Sequence, residues 1–259
     1  MLRSNGGRDA MITIGRRIYG LGAIALGLVE ARFGGFSGDW LPVPAHLPGY
    51  HLFAYATAAV LILAGLAINL PRAGAIAALV LAALFGTGML GLILPHTLTT
   101  PTDWGGWQAV AESTAMALGG VLAYALARGV GDAPNLPRIA RLGFGACLVV
   151  FGVSHFAYAK FTASLVPTWL PPSQLFWAYA TGVAQIAAGL AILSGVQARL
   201  AAILLTAMYA VFGLLVHIPS VIAAPASHDN WAENAVNLLL LGAAWCVADS
   251  LKAETIAAP

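Results

Sequence analysis

Charge is scarce in this chain: Asp, Glu, Lys and Arg together make up 8% of its 259 residues, against roughly 25% in a soluble globular domain. So few charged side chains cannot clothe a water-exposed surface around a sequence that is 60% hydrophobic, which excludes a soluble globular fold and makes the lipid bilayer the first partner. The net charge of +2 decides nothing about nucleic acid, but no basic stripe with interleaved aromatics appears, so no nucleic-acid partner is expected. Cysteine is scarce too. Cys147 and Cys246 lie inside apolar runs without a CxxC, which sets dithiol chemistry aside and leaves both a packing role. There is no HExxH, no close histidine pair on one helix and no cysteine ligand set, so the sequence specifies no metal centre.

Long apolar runs are abundant. A membrane-spanning helix needs about 20 mostly apolar residues, and eight such segments fall at 14–34, 51–70, 73–94, 107–128, 139–159, 175–194, 198–218 and 232–250. Glu30-Ala31-Arg32 follows the first run where a cleavage motif would need small residues, so that run is expected to persist as a helix. Ten of the twelve basic residues sit at one set of helix ends, with only Arg32 and Lys160 opposite. The positive-inside rule then puts both termini in the cytoplasm. Glu30 and Arg32 read as an interfacial pair, and Trp40, Trp104, Trp107, Trp169, Trp177 and Trp231 as an external aromatic belt.

The halves echo one another. Val43-Pro44-Ala45-His46-Leu47-Pro48 matches Val166-Pro167-Thr168-Trp169-Leu170-Pro171, and Ala64 to Ile68 matches Ala188 to Ile192. Pro95 pairs with Pro219 and Trp107 with Trp231. Landmarks that keep nearly one offset across several loops mark a tandem duplication. The expected fold is all-α: a polytopic membrane protein of eight transmembrane helices arranged as two parallel four-helix bundle repeats. Its parts are a cytoplasmic tail (1–13), a first repeat (14–131), a linker (132–138), a second repeat (139–252) and a second cytoplasmic tail (253–259).

Polar side chains gather in the external half of the membrane region, and most densely in the second repeat. His155, Tyr158, Thr181, Gln185, Tyr209, His217, Glu233 and Asn237 form the candidate ligand-binding set. Thr181 and Gln185 share one helix face by their four-residue spacing, as do Glu233 and Asn237. Ionisable groups at membrane depth mark functional sites more often than not, which points to an outward-facing polar pocket. Gln185, Tyr209, His217 and Asn237 correspond in the first repeat to Leu61, Phe85, Ile93 and Ser113, so that repeat reads as scaffold, with Gln108 and Glu112 available for a smaller site of its own. His46, His51, His96 and His228 read as solvated loop residues.

The segments GVSHF, FTASLVPTWLPPSQLFWAYATGVAQIAAGLAIL, LLVHIP and WAENAVNLLLLGAA resemble the DoxX family of bacterial membrane proteins, in its DoxX-like branch. The resemblance covers the second half and reaches the first only through its match to the second. It implies four-helix units and a redox setting: a quinone-linked or oxidative-stress-associated subunit, with a quinone as the candidate cofactor and a soluble redox partner. It transfers no catalytic residue. Two other readings fit the residues equally, namely non-catalytic binding or transport of a small lipophilic molecule, and a structural anchor for a soluble partner.

Overall fold

The computed structural model describes residues 13–38, 40–129 and 135–257. Most of the N-terminal tail, Asp39, the start of the expected linker and the last two residues of the C-terminal tail lie outside the described residues. Within them every regular element is a helix: α1 (Ile14–Phe33), α2 (Tyr50–Ala67), α3 (Gly74–Gly88), α4 (Leu94–Thr99), α5 (Trp104–Arg128), α6 (Asn135–Ala157), α7 (Ala159–Leu165), α8 (Gln174–Ser194), α9 (Ala198–Phe212), α10 (Ile218–Ala223) and α11 (His228–Ala257). A π turn joins α3 to α4 at Met89–Ile93, and another joins α9 to α10 at Gly213–His217.

Among the described residues, seven helical spans are long and apolar enough to cross a membrane: α2, α3 with α4, α5, α6, α8, α9 with α10, and α11. Helix α1 is long enough but carries Arg16, Arg17, Glu30 and Arg32. The two composite spans run past the expected ends at 94 and 218. The reason is Pro95 and Pro219, which lack an N–H and whose rings would strike the carbonyl one turn back. The π turn ahead of each proline widens the helix locally and lets it continue to Thr99 and Ala223.

The spans sort into two layers. Helices α5, α6 and α11 are at least half buried, whereas α2, α8 and the two composite spans are buried over a third of their length or less. The outer helices present Leu52, Leu63, Ile76, Leu204 and Ile222 as exposed side chains. An apolar surface of that extent is incompatible with water and suits lipid. Among the inner helices the packing crosses between sequence halves: α1 lies along α11, α5 along α6, and α5 against α11. Small residues permit these contacts. A Cβ added at Gly15 or Gly22 would fall on the α11 backbone at Cys246 or Leu239, and one at Gly242 on that of Tyr19.

The same device recurs at matching positions. The antiparallel pair α1 and α2 is closest at Gly20 with Gly65 and at Gly27 with Ala58. The pair α6 and α8 is closest at Gly145 with Gly189 and at Gly152 with Gly182. Trp107 Nε1–H donates to Pro101 O at 3.0 Å, and Trp231 Nε1–H to Pro225 O at 3.0 Å. The halves differ after their first helices. The described residues of 34–49 contain no helix, whereas the second half inserts α7 before the turn at Val166–Pro171.

The α6–α8 crossing yields a stability prediction. A Cβ on Gly182 would lie 3.0 Å from Gly152 O and 2.8 Å from His155 Cβ, so Gly182→Leu overpacks a backbone contact that cannot move aside. The expected loss is about 1–3 kcal/mol, measured as a lower thermal midpoint in detergent. At Gly91 an added Cβ meets nothing within 4 Å, and Gly91→Ala should stay within about 0.5 kcal/mol.

Candidate functional site

Helix α6 brings His155 toward the end of the bundle opposite the basic residues, and Tyr158 follows at the α6–α7 junction. Helix α8 supplies Thr181 and Gln185 from one face, α9 supplies Tyr209, the π turn below Pro219 supplies His217, and α11 supplies Glu233 and Asn237. All eight line one cavity of about 620 Å³. Helix α5 closes its remaining side with Gln108 and Glu112. These two belong to the first half but do not form a separate site there, because α5 packs against α6 across the divide between halves. The rest of the wall is apolar, with Phe151, Phe161, Leu165, Phe212, Leu215, Val236 and Leu240 prominent. An apolar chamber with a few convergent polar groups, in the range of roughly 300–1,000 Å³, is the usual form of a small-molecule site.

Hydrogen bonding on the wall is specific. His155 Nδ1 lies 3.1 Å from Ala178 O and 2.9 Å from Thr181 Oγ1. The Thr181 hydroxyl donates to Trp177 O at 2.7 Å, so its oxygen accepts from the ring. A backbone carbonyl can only accept, which puts the proton on Nδ1 and makes Nε2 an acceptor. Gln185 Nε2 then donates to His155 Nε2 at 3.0 Å. This pairing turns the amide oxygen away: Gln185 Oε1 is buried with no hydrogen-bond partner among the described residues, and so are Gln108 Oε1 and Tyr209 Oη. Asn237 Nδ2 donates to Tyr209 O at 3.0 Å, satisfying backbone beside the π turn. Among the described residues no cluster of three or more His, Cys, Asp or Glu could hold a metal ion.

The rim is tied to α5. Trp104 Nε1 donates to Ser154 Oγ at 2.7 Å. Tyr158 donates its phenol to Asp103 Oδ1 at 2.6 Å and accepts from Gly105 N at 2.9 Å. The Tyr158 hydroxyl and the Gly105 N–H both favour the charged carboxylate, and they hold Asp103 below the ordinary aspartate value; the same bond raises the Tyr158 phenol.

The first half is built differently at the matching place. Glu30 does not pair with Arg32; it is fully buried and accepts from Trp40 Nε1 at 3.0 Å and from His228 Nε2 at 3.1 Å. Arg32 instead lies over the Phe33 ring, 5.4 Å from its centroid. Trp40 is 1% exposed and is a core residue, not an interfacial anchor, because its indole N–H finds an acceptor inside the bundle. His228 is likewise no free loop residue. It stacks on Phe33 with centroids 4.5 Å apart and starts α11, which packs on α1. His51 Nδ1 is bound to Gly34 O at 2.6 Å.

Comparison with known proteins adds one finding. Residues 144–248 match a family described as a domain of unknown function (DUF8561); the stretch contains all eight candidate ligand-binding residues but neither Gln108 nor Glu112. No curated protein and no solved structure matches the chain.

The rim gives a pH prediction. The carboxylate of Asp103 keeps its charge through and somewhat below the ordinary aspartate range, and the tie to Tyr158 weakens only as pH falls through the depressed value. In Tyr158→Phe one of the two donors is gone, so Asp103 should titrate at a higher pH than in the unmodified protein. A carboxyl-carbon NMR titration of aspartate-labelled protein in detergent reads this directly, and an unchanged Asp103 curve would contradict the assignment.

Proposed function

We propose that this multi-pass membrane protein binds a small lipophilic molecule with a polar head in its second-half cavity, and that it recognises the molecule without transforming it. One observation carries the reading. The side chains of Gln108, Gln185 and Tyr209 line the same chamber, and Gln108 Oε1, Gln185 Oε1 and Tyr209 Oη are buried without protein partners among the described residues. Each such atom costs about 1–3 kcal/mol when left unmade, and that cost is recovered if a guest supplies the missing partners. A purely structural anchor would have no need of it. The redox reading, in which His155, His217 and Glu233 exchange protons with a quinone, draws less support, because both nitrogens of His155 already have protein partners.

Several finer features belong to the same proposal. The matched π turns, glycine crossings and Trp–Pro hydrogen bonds support descent of the two halves from one four-helix unit. Helix α1 then crosses the membrane as the eighth span, its Arg16 and Glu30 turned into the bundle, where both are buried. An even number of spans and the basic residues at one end support cytoplasmic termini in a bacterial inner membrane and an outward-facing cavity. The resemblance to the DoxX family fits this setting and leaves room for a soluble partner.

Two measurements test the proposal. Native mass spectrometry of protein extracted with its own lipids should show a retained small molecule, and Gln185→Leu, which installs the residue found at Leu61, should lose at least about ten-fold in occupancy, a loss of about 1.4 kcal/mol. Protein that emerges empty from several mild extractions would end the binding reading. For topology, reporter tags at the two termini should be protected on the same side of sealed vesicles; tags on opposite sides would mean seven spans.

A further inference from the structure

We infer that the guest of the second-half chamber is an organic cation with apolar substituents, of the ammonium or phosphonium kind, drawn in by the carboxylates of Glu112 and Glu233. The assignment rests on the binding reading above and names the charge of its guest.

The charge inventory of the wall carries the inference. Among the described residues that line the chamber, Glu112 and Glu233 are acidic and none is a lysine or an arginine. Both come from inner helices, Glu112 about two turns after α5 starts at Trp104 and Glu233 about one and a half turns after α11 starts at His228. Each is half-buried. Lys160 is close in sequence to the wall, yet it is exposed and does not line the chamber. The histidines do not cancel the two acids. His155 is held neutral, since its Nε2 accepts from Gln185 while its Nδ1 donates to Ala178 O. His217 is the remaining base on the wall, and a proton there would offset one carboxylate of the two.

The rest of the wall acts in the same sense. Gln108 and Gln185 each bury an amide oxygen without a protein partner among the described residues, which leaves the negative end of a dipole uncompensated beside the chamber. Phe151, Tyr158, Phe161, Trp177, Tyr209 and Phe212 supply aromatic rings, and a ring face attracts a cation. Tyr209 and Phe212 stand at 61° with centroids 6.1 Å apart, so their faces are not parallel. One sign of charge between low-dielectric walls concentrates solutes of the opposite sign. A metal ion does not suit the place. Among the described residues no cluster of three or more His, Cys, Asp or Glu could hold one, and hard cations need a shell of oxygen ligands that a wall dominated by Leu, Val and Phe does not offer. An organic cation meets both demands at once, pairing its charge with carboxylate while burying carbon in about 620 Å³.

The test varies charge at nearly constant shape. Tetraphenylphosphonium (cation), triphenylphosphine oxide (neutral) and tetraphenylborate (anion) are each titrated calorimetrically against the full-length protein in an uncharged detergent after its native guest is stripped. The expected result is saturable binding of tetraphenylphosphonium at least about ten-fold tighter than the neutral probe, with tetraphenylborate weakest. The double variant Glu112→Gln with Glu233→Gln should bring the phosphonium down to the level of the oxide, and unchanged oxide binding by that variant shows that the chamber is still folded. Tetraphenylborate or the oxide binding as tightly as the phosphonium would overturn the cation assignment while leaving the chamber a binding site, and so would full phosphonium affinity in the double variant. No saturable binding of any probe, together with empty protein by native mass spectrometry, would remove the binding reading itself.

Discussion

A hydrogen-bonding group inside a membrane-embedded bundle has no water to turn to, so it must find a partner in the protein or hold a place for one. That constraint governs the capped end of this molecule. Glu30 is fully buried; its Oε1 accepts from Trp40 and His228, while its Oε2 has no hydrogen-bond partner among the described residues. His155, at the matching position of the second half, is satisfied by Ala178, Thr181 and Gln185, and its satisfaction displaces the need onto Gln185 Oε1. The first half fills the matching place with Trp40. The second surrounds a chamber lined by Gln108, Gln185 and Tyr209, each with a buried polar atom that lacks a protein partner among the described residues.

The two outcomes arise in halves that share several local devices. Both halves use glycine crossings between their first and second helices, both widen to a π turn ahead of a proline, and both lock the start of the fourth helix with a tryptophan bonded to a proline carbonyl. What differs is the segment after the first helix and a handful of side chains facing it. The interleaved packing makes the difference matter beyond one half. Because α5 lies along α6 and α11 along α1, Glu112 reaches the second-half cavity and His228 reaches the first-half core.

Much of this was legible in the sequence, and the rest was hidden for identifiable reasons. Length and apolarity were enough to place seven of the eight expected spans, and the clustering of His155, Gln185, Tyr209 and Asn237 on helix faces of known period was enough to gather them around one chamber. Periodicity says which face a residue occupies but not which helix it meets; Gln108 and Glu112 were therefore read as a local first-half pair although they complete the wall across the divide. Trp40 shows a second limit. A tryptophan beside prolines at the membrane boundary reads as an anchor, and only the position of Glu30 one turn inside the bundle turns it into a plug. His228 was misread for the same reason, since its partner lies 198 residues away. Helix α7 escaped notice because a seven-residue helix that contains Lys160 and runs into a proline-rich turn carries too little periodicity to register.

The central claim is that the second-half chamber is a real space kept open for a guest. An experimental density map of the protein purified with its native lipids would test it most directly. The account predicts ordered density for a bound molecule in the chamber lined by Gln185 and Tyr209, while Trp40 stays buried against Phe85 in the first half. A map in which α7 has collapsed into the chamber, with Gln185 and Tyr209 bonded to protein atoms and no room between them, would contradict it.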